Sequence, residues 1–99
     1  MTYILSLEAR QDIKSILTYT LETWGYQQLQ KYETQLEQIF LKLASKPDLL
    51  GHKKRDDLFA GCRSYSVGKH TIFYQQSNEC IEIARILHQS MDHSRHFDE

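Results

Sequence analysis

Apolar and polar positions repeat along the chain with two different periods, and the period changes near residue 58. Between Ser6 and Pro47 apolar side chains recur every three or four residues, which places them on one face of a helix. Gly25 interrupts the repeat, so we predict two helices, one ending at Trp24 and one running from Tyr26 to just before Pro47. Ser6 is a suitable N-cap for the first helix. Trp24 is expected to lie in the core at the end of that helix.

Strands are predicted on both sides of the helical hairpin. A short β-type run, Thr2–Leu5, precedes it, and three runs rich in β-branched and aromatic residues follow it, at Cys62–Val67, Thr71–Gln75 and Cys80–Leu87. This order predicts an α+β fold in which an antiparallel helical hairpin packs on one face of a three- to four-stranded, mainly antiparallel sheet. The dense apolar stretch of Cys80–Leu87 indicates a central strand. We expect the opposite face of the sheet to be available for function.

Size and composition are those of one soluble domain. The chain has 99 residues, of which 40% are hydrophobic and 25% are charged, so we assign residues 1–99 to a single domain with a polar tail from residue 89. No apolar run approaches the roughly 20 residues of a membrane span. No secretory signal is apparent at the start, and we therefore expect a cytoplasmic protein without membrane contact.

The charge balance argues against generic attraction to nucleic acid. Twelve basic and thirteen acidic side chains give a net charge of −1, so contact with DNA is expected only indirectly, through a partner. The basic run Lys53, Lys54 and Arg55 is interpreted as a solvated loop.

The two cysteines are expected to be free thiols. One strand of the predicted sheet lies between Cys62 and Cys80, and two strand spacings, about 9.5 Å, exceed the ~7 Å over which a disulfide can form. The spacing of His88, Asp92, His93 and His96 would align metal ligands only on a helix, and no cysteine joins them. We therefore predict no metal and no other cofactor.

Several short motifs occur in a characteristic order along nearly the whole chain. They are Trp24-Gly25 followed by Gln28 and Tyr32, then Leu58 to Tyr65, Val67 to His70, Ile72 to Tyr74, Arg85 to His88, and Met91-Asp92. This ordered set resembles the ParE-type toxins of the bacterial RelE/ParE toxin–antitoxin superfamily. The resemblance implies a toxin of a type II toxin–antitoxin system that inhibits DNA gyrase by binding, without catalysis. It also implies a ParD-like antitoxin partner, with which the toxin can form a hetero-oligomer.

The residues expected to contact the target lie on the sheet and in the tail. They are Arg63, Arg85, His88, Met91, Asp92 and His93. Arg63 and Arg85 also have a purely structural interpretation, as partners of acidic residues beside the sheet, for which the candidates are Asp56, Asp57, Glu82 and Asp92.

Two alternative functions remain open. The first is a RelE-like, ribosome-dependent messenger RNA endoribonuclease, which needs a base, an acid and cations close together. Its catalytic candidates would be Arg63, His70, Arg85 and His88. The second alternative is an inactive toxin homologue that only binds its antitoxin.

Overall fold

The computed structural model describes residues 2–97 and confirms the predicted α+β architecture. Each predicted helix and strand is present, with its ends displaced by no more than two residues. The elements are β1 (Thr2–Leu5), α1 (Leu7–Trp24), α2 (Tyr26–Ser45), β2 (Lys53–Lys54), β3 (Arg63–Val67), β4 (His70–Ser77), β5 (Cys80–His88) and a short 3₁₀ helix (His93–His96).

Local chemistry fixes the ends of the first helix. The Ser6 hydroxyl oxygen accepts a hydrogen bond from the Ala9 amide at 3.0 Å, as expected of an N-cap. The same hydroxyl donates to the Ala84 carbonyl at 2.7 Å, which ties the start of α1 to β5. At the other end Gly25 adopts a φ of +93°, a conformation that favours glycine and allows α2 to begin immediately. Ser6 and Gly25 therefore define where α1 begins and where it ends.

The sheet has five strands in the order β1-β5-β4-β3-β2. β1 runs parallel to β5, and the remaining neighbours are antiparallel, so β5 is a central strand as predicted. The additional strand is β2, because Lys53 and Lys54 pair with Ser64 and Arg63 instead of forming a free loop. Two residues without apolar character give no sequence signal for a strand. Lys53 and Lys54 are extended because they pair with β3.

The main core lies between the helical hairpin and one face of the sheet. It combines Leu36, Phe40 and Leu43 of α2 with apolar side chains from the three central strands. The partly buried α1 residues Ile13 and Ile16 complete it. The stripe of apolar positions seen in the sequence is thus the buried face of both helices.

The opposite face of the sheet is not open, and here the prediction was wrong. Phe73 is fully buried there with Cys62 and Leu87, and Phe59 and Phe97 pack over it. The Phe97 ring centroid lies 5.2 Å from that of Phe73 and 5.5 Å from that of Phe59. The loop before β3 and the segment after β5 therefore close this face. Successive residues of β4 contribute side chains to the two cores in turn, because neighbouring side chains of a strand point to opposite faces of the sheet.

Both cysteines are free thiols, as predicted. Burial raises the pKa of the Cys62 thiol to about 12, so this group stays protonated and unreactive. Within residues 2–97, neither helix is long and apolar enough to cross a bilayer.

Candidate functional site

A groove of about 640 Å³ lies between α1 and the end of the sheet that carries the β3–β4 turn. One wall is formed by α1, the other by the chain after β5, and the floor by the adjoining ends of β4 and β5. The residues that line it are Ser15, Ile16, Tyr19, Thr20, Trp24, Gln28, Tyr32, Lys69, His70, His88, Ser90 and Met91. No Asp or Glu is among them, and Lys69 supplies a positive charge.

Large apolar side chains form the rim of this groove. Tyr19 and Trp24 are 65% and 69% exposed, and Met91 is 45% exposed. The prediction that Trp24 belongs to the core was therefore wrong. Trp24 is the last residue of α1, immediately before the chain turns at Gly25, and its side chain remains largely exposed. Aromatic side chains that remain in water at a concave surface are typical of protein-binding sites.

Two histidines form the polar floor of the groove. His70 and His88 are direct partners in the β4–β5 ladder, with ring centroids 5.4 Å apart and an edge-on geometry. The Gln89 amide donates to the Lys69 carbonyl one step further along, which makes the histidines a non-hydrogen-bonded pair. Side chains of such pairs stand closer together than those of hydrogen-bonded pairs. The ladder register therefore brings these two imidazoles into contact.

Neighbouring groups hold both imidazoles in place. The Tyr32 hydroxyl donates to the Val67 carbonyl at 3.3 Å and lies 2.7 Å from Nδ1 of His70, so both contacts are satisfied when Nδ1–H of His70 donates to the hydroxyl oxygen. The Ser90 amide donates to Nδ1 of His88 at 3.1 Å, so in the neutral ring the proton is on Nε2. In the described part of the chain, no protein group bonds Nε2 of either ring. In the neutral rings, His88 therefore presents an Nε2–H donor and His70 an Nε2 acceptor.

Burial controls the charge of this network. Burial and the nearby His88 lower the pKa of His70 below its ordinary value. Burial also raises the pKa of Tyr32 to about 12, so its hydroxyl remains a donor at all ordinary pH values. Two imidazolium ions with ring centroids 5.4 Å apart would repel by about 3 kcal/mol at an effective dielectric constant of ~20. Simultaneous charge on both rings is therefore unfavourable.

Arg85 is committed to a structural ion pair. Its Nε and Nη2 donate to the two carboxylate oxygens of Asp12 on α1, at 2.8 and 3.0 Å. These hydrogen bonds raise the pKa of Arg85 above its usual value. Asp12 also accepts the Ile86 amide at 2.9 Å, and Arg85 Nη1 donates to the His96 carbonyl at 3.3 Å. The arginine thus joins α1, β5 and the C-terminal segment. The structural interpretation holds, but the acid is none of the four predicted candidates.

Arg63 forms a single ion pair at the other end of the sheet. Its Nη2 lies 3.2 Å from the Asp48 carboxylate, again not a predicted partner, and its Nη1 is buried without a hydrogen-bond partner in the described chain. Arg63 pairs with Tyr74, four positions along β4 from His70, or about 13 Å at the usual strand rise. Of the four nuclease candidates, the structure brings together only His70 and His88.

The tail candidates are divided between two surfaces. Met91 lines the groove. His93 packs edge-on against Phe73 on the opposite face, and its Nε2 lies 3.2 Å from the His88 carbonyl. Asp92 accepts the Ser94 hydroxyl at 2.9 Å. Within residues 2–97, no three His, Cys, Asp or Glu side chains are placed to share a metal ion.

Two imidazoles and one lysine line the groove together with neutral polar and apolar side chains, and the two arginines are paired elsewhere. Tyr19, Tyr32 and Lys69 line the groove, although they were not among the predicted site residues. One signal was available, since Tyr19, Trp24, Tyr26 and Tyr32 place four large aromatic side chains within 14 residues around Gly25.

Comparisons with known proteins agree with this description. A family model described as "ParE toxin of type II toxin-antitoxin system, parDE" matches residues 3–93. Toxin ParE1 of Mycobacterium tuberculosis is 33% identical over 94 residues, which are 94% of each chain. Toxin ParE1 of Caulobacter vibrioides is 34% identical over 95% of each chain. Toxin ParE of Escherichia coli is 33% identical over 91% of this chain and 86% of its own length.

A solved structure of the chromosomal ParDE TA system from P. aeruginosa shares the fold. The TM-score is 0.74 at 16% identity, and the match covers 89% of this chain and 95% of the other. The family model and the relatives together identify the chain as a member of the ParE toxin family of type II toxin–antitoxin systems.

Proposed function

We propose that this chain is a cytoplasmic toxin that inhibits DNA gyrase by binding and is neutralised by a ParD-like antitoxin. Membership of the ParE family supports the proposal. The structural observation that supports binding without catalysis is the pairing of Arg63 with Asp48 and of Arg85 with Asp12, which leaves Lys69 as the cation beside the two histidines among the described residues. The mechanism is occupation of a surface on gyrase, and DNA is contacted only through that complex.

The toxin and antitoxin surfaces are proposed to overlap. The target surface includes His88 and Met91, and both line the groove that offers apolar area to an antitoxin. A disordered antitoxin tail that folds along this groove would cover them. β1 lies at the edge of the sheet, with β5 on one side. Its other side can pair with a strand of the antitoxin, which would add a second contact. Neutralisation then follows from direct competition.

The test is a supercoiling assay with purified gyrase, relaxed plasmid and ATP. The chain should block supercoiling or trap cleaved DNA, and Met91→Asp should weaken this effect at least tenfold because it places a charge on the apolar rim. Leu50→Asp is the matched control, since Leu50 is 92% exposed and does not line the groove. Full supercoiling activity at a large excess of the folded wild-type chain would refute the proposal.

A deletion of residues 89–99 is a poor substitute for these variants. It would remove Phe97 from its contact with Phe73 and uncover the second core, so a loss of toxicity would not separate contact from folding. Point substitutions at the groove leave that contact intact.

The His70–His88 pair favours one second candidate, the ribosome-dependent ribonuclease, since paired imidazoles can exchange protons. Primer extension on messenger RNA from a translating extract tests it directly. Cleavage that disappears in His88→Gln would establish the nuclease and exclude inhibition by binding alone. A chain that binds its antitoxin yet affects neither gyrase nor messenger RNA would be the inactive homologue.

A further inference from the structure

His70 and His88 form a pair of imidazoles whose Nε2 atoms have no hydrogen-bond partner within residues 2–97. The two residues are direct partners in the β4–β5 ladder, and their ring centroids lie 5.4 Å apart at an interplanar angle of 86°. Both side chains are half-buried in the floor of the groove. Imidazole is the commonest metal ligand among side chains, so two free nitrogens that the ladder holds together are a candidate metal site.

The separation of the two rings fits one shared metal ion. Zn²⁺ binds an imidazole nitrogen at about 2.1 Å, which places the ion about 3.2 Å from the ring centroid. Two imidazoles on one tetrahedral ion then have centroids about 5.3 Å apart, whereas adjacent ligands of a square-planar ion have centroids about 4.6 Å apart. The observed 5.4 Å agrees with the tetrahedral arrangement. The ladder therefore supplies the spacing that Zn²⁺ prefers.

His70 is already in the tautomer that a metal ion requires. A ligating histidine donates its other ring N–H to a fixed acceptor, which directs a lone pair toward the ion. The Tyr32 hydroxyl donates to the Val67 carbonyl, and its oxygen accepts Nδ1–H of His70 at 2.7 Å. Nε2 of His70 therefore carries the free lone pair.

His88 has a hydrogen-bond partner for either tautomer. In the neutral ring Nδ1 accepts the Ser90 amide at 3.1 Å, and Nε2 carries the proton. The Ser90 hydroxyl oxygen lies 2.7 Å from the same Nδ1 and can accept a proton from it. When a metal ion binds, Nε2 loses its proton, Nδ1 gains one and donates it to this hydroxyl, and no net proton is released. His88 can therefore become a ligand with the loss of one backbone contact.

The remaining coordination positions are open to water. Within residues 2–97 no third His, Cys, Asp or Glu joins the pair. Lys69, on the adjoining turn, is exposed, so its ammonium group can remain hydrated away from the ion. A structural zinc site takes all four ligands from the protein, whereas a site with open positions exchanges water for other donors. Two protein ligands therefore indicate a reversible site.

We propose that the groove binds one Zn²⁺ ion reversibly through Nε2 of His70 and Nε2 of His88, with water at the remaining positions. Tyr32 and Ser90 position the two rings. An oxygen or nitrogen donor of a bound molecule can replace the water. The proposal departs from the expectation of a chain without metal, which was based on the tail spacing and not on the ladder pair. It does not depend on the inhibition of gyrase.

The test begins with titration of the purified, metal-free, full-length chain with ZnCl₂ in a calorimeter. We expect one ion per chain and release of the ion by EDTA. The midpoint of urea unfolding should rise with the Zn²⁺ concentration, because the ion binds the folded chain. Co²⁺ serves as a spectroscopic probe, and the visible absorption of the Co²⁺-loaded chain should have the high intensity of a tetrahedral ion.

Nuclear magnetic resonance identifies the ligand atoms in the wild-type chain. Long-range proton–nitrogen correlations of the imidazole rings distinguish Nδ1–H from Nε2–H. On addition of Zn²⁺, His88 should change from the Nε2–H to the Nδ1–H tautomer, and His70 should keep Nδ1–H. The Nε2 resonances of both rings should shift, and those of His52 should not.

Four substitutions separate ligands from positioning residues. His70→Gln and His88→Gln each remove one ligand and should weaken Zn²⁺ binding by about tenfold or more. Tyr32→Phe and Ser90→Ala keep both imidazoles but remove an acceptor of Nδ1–H, and each should weaken binding by about tenfold. Ser90→Thr retains the hydroxyl and should restore the wild-type affinity.

His52→Gln is the matched control. His52 lies 3.8 Å from the Asp48 carboxylate and contacts the Leu49 carbonyl, outside the groove, so this variant should bind Zn²⁺ as the wild type does. A loss of binding in His52→Gln would place the ion at the His52–Asp48 pair instead.

Three further outcomes would overturn the proposal. They are the absence of saturable Zn²⁺ binding by the folded wild type, equal affinities of the wild type and the His70→Gln/His88→Gln variant, and an octahedral Co²⁺ spectrum. The Co²⁺ and resonance measurements need no variant, so a substitution that prevents folding leaves them decisive. A chain that binds Zn²⁺ at the two histidines but does not inhibit gyrase would refute the proposed function alone.

Discussion

Replacement of Asp12 by alanine tests whether one side chain fastens three parts of the fold. The carboxylate accepts two hydrogen bonds from Arg85 and one from the Ile86 amide, and the side chains of Arg85 and Asp12 are only 20% and 14% exposed. Truncation leaves a largely buried guanidinium and a strand-edge amide without their acceptor.

The size of the effect follows from these two groups. Removal of one member of a buried ion pair costs about 3 to 5 kcal/mol, and residual exposure places this pair near the lower limit. We therefore expect Asp12→Ala to reduce the free energy of unfolding by about 3 kcal/mol, a large part of the 5 to 15 kcal/mol typical of a domain. Asp12→Asn should lose about 2 kcal/mol, because its amide oxygen can still accept the Ile86 amide.

Urea denaturation followed by circular dichroism measures these differences, and a double-mutant cycle with Arg85→Met isolates the pair. The coupling energy should be about 2 kcal/mol. Asp57→Ala is the matched control, since Asp57 also binds an arginine through two hydrogen bonds of 3.0 Å but lies on the surface. Its effect should be a small fraction of that at Asp12. A loss below about 1 kcal/mol at Asp12, or additive effects of Asp12→Ala and Arg85→Met, would show that the two side chains are not a coupled, buried ion pair.

Three further predictions concern the second core and the buried titratable groups. Phe97→Ala should lower the unfolding free energy by about 2 kcal/mol in urea, because it removes ring contacts with two other phenylalanines, whereas an unchanged midpoint would mean that the C-terminal segment covers nothing. Tyr32 and Tyr74 have pKa values raised by burial to about 12, so stability is retained below pH 10, the unfolded value, and decreases between pH 10 and 12, when ionisation favours the unfolded chain. Ultraviolet absorption should show these two phenols ionising last, and simultaneous ionisation of all six tyrosines would contradict the burial argument. Ellman's reagent should modify Cys80 much faster than the fully buried Cys62 in the native protein, and Cys62→Ser should leave the fast phase unchanged.

The elements of this fold were predictable because short-range signals define them. Ser6 caps α1 and Gly25 separates the two helices, and both are visible as residue types at the ends of a periodic pattern. β2 was not predictable, because Lys53 and Lys54 become a strand only through pairing with β3. Sequence periodicity describes single elements, and pairing depends on partners far along the chain.

The candidate site was predictable only in part. His70 and His88 were selected from a turn and a strand end, and the ladder register is what makes them neighbours. Arg85 was recognised as a structural candidate, but its partner Asp12 is 73 positions away, so proximity in sequence pointed to the wrong acids. The prediction that Trp24 is buried was wrong because helical periodicity shows which face of a helix a residue belongs to. It does not show whether another element covers that face at the end of the helix.

The parallel pairing of β1 with β5 has a consequence for synthesis of the protein. The first strand and the first helix make interstrand and side-chain hydrogen bonds with residues 80–86, which lie 74 to 78 positions further along the chain. Contacts of such large sequence separation carry a high loop-closure cost and form slowly. A nascent chain interrupted before residue 80 lacks the strand on which its amino-terminal half assembles. The groove, which His88 and Met91 help to line, is therefore complete only after β5 and the residues that follow it have been synthesised.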